Sequence, residues 1–186
     1  MGNSRDDNLL PPMSAAVVTV SDRCAAGIAP DTAGPAVATL LRRAGTEVVW
    51  TGLVPDEVAV IAERLVALCR EGIDLVLTVG GTGLGPRDVT PEATRGVLER
   101  EAPGLAEAMR LGSSASTRRA FLSRAVAGVR GRTLVVNLPG SEKAARENLQ
   151  AILDLLPHAV AMLRGAGHPH PPPAHPTPSG GGEPGG

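Results

Sequence analysis

Apolar runs of strand length alternate along this chain with stretches whose apolar residues recur every three or four positions. Ala15–Val20 (AAVVTV) is almost continuously apolar, the pattern of a strand buried on both faces. Val37, Leu40, Leu41 and Ala44 follow at helical spacing, with Pro35 near the first turn and Gly45 just past the end. Glu47–Leu53 reads as a second strand. Val58, Ile61, Ala62, Leu65, Leu68 and Cys69 form one helical stripe closed by Gly72. Asp74–Val79 (DLVLTV) is a third strand. After a glycine-rich loop, Thr90 and Pro91 have the residue types of an N-cap and a first helical position. A shorter helix is expected near Gly104–Leu111. Val126–Val129 and Thr133–Leu138 read as strands joined at Arg130–Arg132. Ser141 caps a last helix with Ala145, Leu149, Ile152, Leu153 and Leu156 on one face, and Pro157 is expected to kink or end it. Strands separated by helices predict an α/β fold. Its sheet should be mostly parallel and flanked by helices on both faces, three layers in all, with a short β-hairpin-like element near residues 124–138.

The ends differ from this middle. Residues 1–14 read as a flexible polar arm. From Gly167 to Gly186, 13 of 20 residues are Gly or Pro, so residues 166–186 are expected to be a disordered tail beyond a domain of residues 15–165. His168, His170 and His175 lie in that tail, where metal binding and plain solvation are both open. With 42% hydrophobic residues and a length of 186, the chain can build one sizeable core, almost without aromatics: it has one Trp, one Phe and no Tyr. That scarcity removes the stacking platforms of single-strand nucleic-acid binders. A net charge of −1 argues against a DNA-coating protein. No apolar run is long enough for a membrane span, and the N-terminus lacks the apolar segment of a secretory signal. Cys24 and Cys69 match no zinc spacing and suit reduced thiols in a cytoplasmic protein.

In open α/β sheets ligands bind beyond the carboxyl ends of the strands. Four turn-rich segments fall there: Ser21-Asp22, Pro55-Asp56-Glu57, Gly80–Asp88 (GGTGLGPRD) and Pro139-Gly140-Ser141. Each leads towards a helix N-terminus, an arrangement suited to anions, although each would also serve as a tight connecting turn. Gly80–Asp88 exceeds what a turn requires, with four glycines and a threonine in its first six residues. It is neither a Walker A loop, which needs GxxxxGK[ST], nor GxGxxG, because Pro86 stands where the third glycine should be. Asp56 and Asp88 sit at the mouth of this presumed anion site. Carboxylates beside a phosphate cradle call for a cation between them, and Mg²⁺ is the natural one; helix capping is the alternative role. From Ala108 to Ser141 there is no acid, but six arginines: Arg110, Arg118, Arg119, Arg124, Arg130 and Arg132. Such a zone suits a multiply phosphorylated ligand, or else a solvated or subunit-facing surface. Ser113 and Ser123 lie within it.

The segments VVTVSDRCAAG, VPDEV, LVLTVGGTGLGPRDVTPEAT, LSRAVAGVRG and LVVNLPGSEKA together resemble the Mog/MoaB family of molybdopterin adenylyltransferases, from about Ala15 to Leu163. The resemblance implies a cytoplasmic α/β homotrimer in molybdenum cofactor biosynthesis. It implies ATP and molybdopterin as substrates, Mg²⁺ as the metal, and a metal-insertion protein receiving the product. It places the two essential, metal-holding aspartates on Asp56 and Asp88. The nucleotide site falls on Gly80, Gly81, Thr82 and Gly83, with Ser21, Asp22 and the turn Pro139-Gly140-Ser141 beside it. The serines lining the pterin pocket fall on Ser113 and Ser123. Departures are small: Glu142 stands where proline is common, Ala26 where many members have serine, and Arg118 and Arg119 where some relatives are more apolar. A pterin-binding protein without catalysis, or an interaction scaffold on the same fold, are the alternative readings.

Overall fold

The computed structural model describes residues 13–165. The chain runs β1 (Ser14–Val20), α1 (Asp22–Ala25), α2 (Ala33–Arg43), β2 (Glu47–Val54), α3 (Val58–Arg70), β3 (Leu75–Val79) and α4 (Thr90–Val97). It continues with β4 (Arg100–Glu101), α5 (Pro103–Ser114), a 3-10 turn (Arg118–Leu122), β5 (Ala127–Arg130), β6 (Thr133–Leu138), α6 (Glu142–Gln150) and α7 (Leu156–Leu163). One six-stranded sheet has the order β2-β1-β3-β6-β5-β4. The four strands β2, β1, β3 and β6 are parallel neighbours. The hairpin β5–β6 and the short edge strand β4 add the antiparallel part. The expected three-layer architecture and the hairpin are therefore both present.

Alternation along the strands builds two cores, because successive side chains point to opposite faces. Ala15, Val17, Leu75, Leu77, Leu134 and Val136 pack under α2, α5, α6 and α7, against Leu41, Met109, Leu149 and Leu156. Ala16, Val18, Val76 and Val135 pack on the other face against Ile61, Leu65 and Leu68 of α3 and Ala93 and Val97 of α4. Ser14 opens β1 and Met13 is buried, so the last two residues of the segment expected to be an arm belong to the fold. The remainder of that arm, and the tail with its three histidines, lie outside the described residues.

Helix boundaries follow the local signals in most places. Gly45 and Gly72, at φ +83° and +76°, lie just past the C-terminal ends of α2 and α3. Ser141 caps α6, its Oγ accepting from the N–H of Ala144 at 3.3 Å. Two expectations need correction. Pro157 starts a helix instead of ending one: α6 stops at Gln150, and Pro157 occupies the first turn of α7, where its missing N–H costs nothing. Thr90 is not an N-cap. It is the first residue of α4, after Val89, and makes no side-chain capping bond. Its hydroxyl points inward and has no hydrogen-bond partner. Three small elements had no sequence signal strong enough to separate them from loop: α1, β4 and the 3-10 turn.

Candidate active site

The strand order turns at β1: the chain leaves it for β2 on one side and later adds β3 on the other. Connections diverge there and leave a crevice beyond the carboxyl ends of the strands. A cleft of about 270 Å³ occupies that place. Of the residues singled out in the sequence, Ser21, Asp56, Gly80, Gly81, Asp88 and Gly140 line it. Thr82 is buried one step behind Gly81, and Pro139 and Ser141 flank Gly140.

Backbone geometry explains two of the glycines. Gly80 has φ +118°, and a Cβ there would lie 2.2 Å from the carbonyl oxygen of Val20. Gly81 has φ +62°, and a Cβ would lie 2.3 Å from Thr90 Oγ1 and 2.9 Å from Asp56 Oδ1. No other residue type lets the end of β3 pass so close to β1 and to Asp56. The loop folds back on itself at its far end, where the N–H of Gly85 donates to Asp88 Oδ2 at 2.8 Å.

Asp56 does not cap α3. The N-terminal residue of that helix is capped from Glu57, without a side-chain bond. Instead Asp56 Oδ2 accepts from the N–H of Asp22 at 2.8 Å, and the N–H of Asp56 donates to Asp22 Oδ1 at 2.9 Å. Arg87 closes this arrangement from the glycine loop, its Nε and Nη2 donating to Asp22 at 2.9 and 3.0 Å. The Asp22 carboxyl is held below the usual carboxylate range, first by the Asp56 N–H and then by Arg87. Burial pushes the Asp56 carboxyl above it, with the charges of Asp22 and Asp88 adding to the rise.

These donors suit a hard divalent cation. Asp56 and Asp88 each have one oxygen engaged by a backbone N–H, and each keeps Oδ1 without a protein partner. Two carboxylate oxygens with room for waters match the way Mg²⁺ binds beside phosphates. The repulsion that raises Asp56 is the kind a cation relieves. Among the described residues no group of three or more His, Cys, Asp or Glu forms a metal cage, so any ion here would draw its remaining ligands from substrate and water.

Ser113 and Ser123 do not line this cleft. Ser113 is buried in α5, its Oγ accepting from Asn148 Nδ2 at 2.8 Å. Ser123 follows the 3-10 turn, its Oγ accepting from the N–H of Ala125 at 3.3 Å. The acid-free zone serves the fold more than the sequence suggested. Arg110 donates to the carbonyls of Ser123 and Ala125, Arg130 to that of Val97, and Arg124 to those of Gly83 and Asp88. Half of its six arginines are thus occupied by backbone carbonyls. Cys24 and Cys69 are both free thiols.

Fold and site together define an α/β protein with a glycine-walled, carboxylate-rimmed cleft at a sheet switch point. The family model described as "probable molybdopterin binding domain" matches residues 16–158, and the chain belongs to that family. A crystal structure of the molybdopterin biosynthesis enzyme MoaB from Thermus thermophilus superimposes with a TM-score of 0.78 at 52% identity, covering 82% of this chain and 97% of that one. The molybdopterin adenylyltransferase of Haemophilus influenzae is 44% identical over 141 residues, 74% of this chain and 72% of that protein. The molybdenum cofactor synthesis protein cinnamon of Drosophila melanogaster is 47% identical over 150 residues, 79% of this chain. The chain spans only 25% of cinnamon's length.

Proposed function

We propose that this protein is a molybdopterin adenylyltransferase, which transfers AMP from ATP to the terminal phosphate of molybdopterin and releases pyrophosphate. One observation carries the reading: two carboxylates, each with a free oxygen, stand so close to a glycine loop that a Cβ at Gly81 or Gly83 would come within 2.9 Å of one of them. Nucleotidyl transfer needs positioning and charge neutralisation more than a protein nucleophile. The chain offers those means.

Asp56 and Asp88 would hold Mg²⁺. Bound there, the ion supplies neutralisation and alignment of the triphosphate. The amides of Gly81, Thr82 and Gly83 would receive phosphate oxygens as charge develops on them, with Gly80, whose N–H is taken by the Leu138 carbonyl at 3.0 Å, bringing the loop close to β1. The turn Pro139-Gly140-Ser141 would close the nucleotide side, together with Ser21 and Asp22. Ser113 and Ser123 would contribute to the pterin side, beyond the cleft. The attacking oxygen is the pterin's own phosphate, so no side chain has to become covalently linked.

A homotrimer, a cytoplasmic location and delivery of the product to a metal-insertion protein belong to the same reading. No helix among the described residues is long and apolar enough to cross a membrane. The direct test incubates the full chain with molybdopterin, ATP and Mg²⁺ and follows adenylylated pterin and pyrophosphate. Product that depends on all three components supports the proposal. Pterin binding without ATP turnover replaces it with a binding role, and capture of neither substrate points to a scaffold.

A further inference from the structure

The glycine loop does not hold its own shape. Four glycines lie between residues 80 and 85, and such a segment loses more conformational freedom on ordering than any other composition. Its internal bonds are few: Gly85 N–H to Asp88 Oδ2, and Asp88 N–H to the Gly85 carbonyl at 3.0 Å. Its ends are tied by the Gly80 N–H to the Leu138 carbonyl at 3.0 Å, the Thr90 N–H to the Gly81 carbonyl at 3.1 Å and Arg87 to Asp22, but the carbonyls of its middle are held by a residue far along the chain. The N–H of Arg124 donates to the Thr82 carbonyl at 2.9 Å. Its Nε donates to the Gly83 carbonyl at 2.7 Å, and its Nη2 to the Asp88 carbonyl. Glu92, in the first turn of α4, receives the same guanidinium and holds it in place.

We propose that Arg124 is the positioning residue of the glycine loop, turning its carbonyls to one side so that its N–H groups are left facing a phosphate ligand. In a trans peptide the C=O and the following N–H point in opposite directions. Drawing the carbonyls of Thr82, Gly83 and Asp88 to Arg124 therefore turns the N–H groups of Gly83, Leu84 and Val89 away from it. The orientation is fixed before any ligand arrives, which is how fixed dipoles gain their value. A planar fork reaching several carbonyls at once is a task for arginine and not for the single ammonium of lysine. The inference rests on the reading of this loop as the nucleotide cradle, but its structural half does not need that reading.

The test compares Arg124→Gln, Arg124→Lys and Glu92→Gln with the wild-type full chain. Backbone amide hydrogen exchange of residues 82–89 is measured on the free protein, together with the melting midpoint. KM for ATP and kcat are measured at saturating molybdopterin. In Arg124→Gln, exchange at Gly85 and Asp88, whose N–H groups are bonded within the loop, should quicken at least about tenfold as the loop loses its charge-assisted restraint. KM for ATP should rise by a similar factor, with kcat falling less. Arg124→Lys should recover part of both, and Glu92→Gln should shift both in the same direction by a smaller factor. Unchanged loop exchange and unchanged KM for ATP in Arg124→Gln would overturn the proposal. If that variant does not fold, unchanged exchange and KM in Arg124→Lys and Glu92→Gln overturn it instead. If the wild-type chain makes no adenylylated pterin, the functional reading fails, while the exchange data still decide whether Arg124 sets the loop.

Discussion

Asp22 and Asp56 bind each other's backbone: each N–H donates to the other's carboxylate, at 2.8 and 2.9 Å. The exchange locks the turn after β1 to the turn after β2 and fixes which Asp56 oxygen stays free. It also divides the labour between two similar residues. Asp22 is stabilised as an anion by Asp56 and Arg87. Asp56, more buried and surrounded by like charge, is left for a cation. Asp56→Asn keeps the size and an oxygen to accept from Asp22, but loses the charge. It should lower kcat/KM for ATP at least about a hundredfold, the scale of one lost electrostatic contact in a site of this kind, without unfolding the protein. Asp22→Asn, whose charge is spent on Arg87 and the Asp56 N–H, should cost only about tenfold. Steady-state kinetics with circular dichroism of each variant check the pair. An Asp56→Asn enzyme within about threefold of wild type, far from the hundredfold scale, would remove that carboxylate from the reaction.

Much of this molecule was legible because its signals are local. Gly45 and Gly72 mark helix ends, Ser141 marks a helix start, and the apolar run of Leu75–Val79 marks a strand covered on both faces. The cluster of turns at strand ends was legible for the same reason, since a βα unit must deliver them to one edge of the sheet. Arg124 was not. It reaches the loop across 36 residues of sequence, and nothing near it distinguishes it from the five other arginines of the acid-free zone. Thr90 misled because a capping residue type stands one position inside the helix, after the true N-cap Val89, and Pro157 because a residue type that ends helices here sits in the first turn of a new one. Only tertiary packing decides which backbone group is left without a partner.

Gly80 and Gly81 make different demands on the fold, and replacing each by alanine should separate stability from activity. At Gly80 the new methyl meets the Val20 backbone, so β1 and β3 must part at the tips. With the strain of a positive φ added, Gly80→Ala should cost about 2–4 kcal/mol and abolish activity. At Gly81 the methyl meets two side chains, Thr90 and Asp56, which have some room to move. Gly81→Ala should cost about 1–2 kcal/mol while displacing Asp56, so turnover falls further than stability does. Gly96, exposed in α4 with nothing within 4 Å of its Cβ position, is the control. Gly96→Ala should be neutral or stabilising by up to about 1 kcal/mol. Urea unfolding midpoints alongside the adenylylation assay read all three.

Beneath the glycine loop, Asn137 joins three elements through its side chain. Its Nδ2 donates to Thr78 Oγ1 at 2.9 Å and to Thr94 Oγ1 at 2.8 Å, and its Oδ1 accepts from the N–H of Val126 at 3.2 Å. Asn137 is fully buried, so these bonds have no aqueous substitute. Removing the amide orphans the Val126 N–H and opens a void between β3 and α4. Asn137→Ala should therefore destabilise the protein by at least about 2 kcal/mol, where a surface asparagine would cost almost nothing. Chemical denaturation measures the difference. A loss under about 0.5 kcal/mol, within the range of ordinary surface substitutions, would mean that relaxation or water replaces the network.

Asp74 ties both ends of the described fold to the sheet, and its ionisation should set the acid limit of stability. Burial pushes its carboxyl up, but Arg164 and two bonds from Ser14 outweigh that and hold it below the usual carboxylate range. Arg164 Nε and Nη2 donate to it at 2.9 and 2.6 Å, and the Ser14 N–H and hydroxyl at 2.9 and 2.8 Å. The unfolded carboxyl therefore binds a proton at a higher pH than the folded one. The stabilisation is complete above the unfolded value, about 3.9, and is lost as pH falls through the lower folded value. Melting midpoints of the wild type should be insensitive to this group from about pH 7 to about pH 5 and fall below that. Asp74→Asn keeps the shape and loses the charge. It should cost about 2–3 kcal/mol at about pH 7, since four bonds from Ser14 and Arg164 converge on this mostly buried carboxylate and all lose their charge assistance. The two proteins should converge in stability only as pH falls through the folded value, which lies below the unfolded one. Parallel curves over that range, with a constant gap, would show that the bond geometry and not the charge of Asp74 secures α7 and the start of β1.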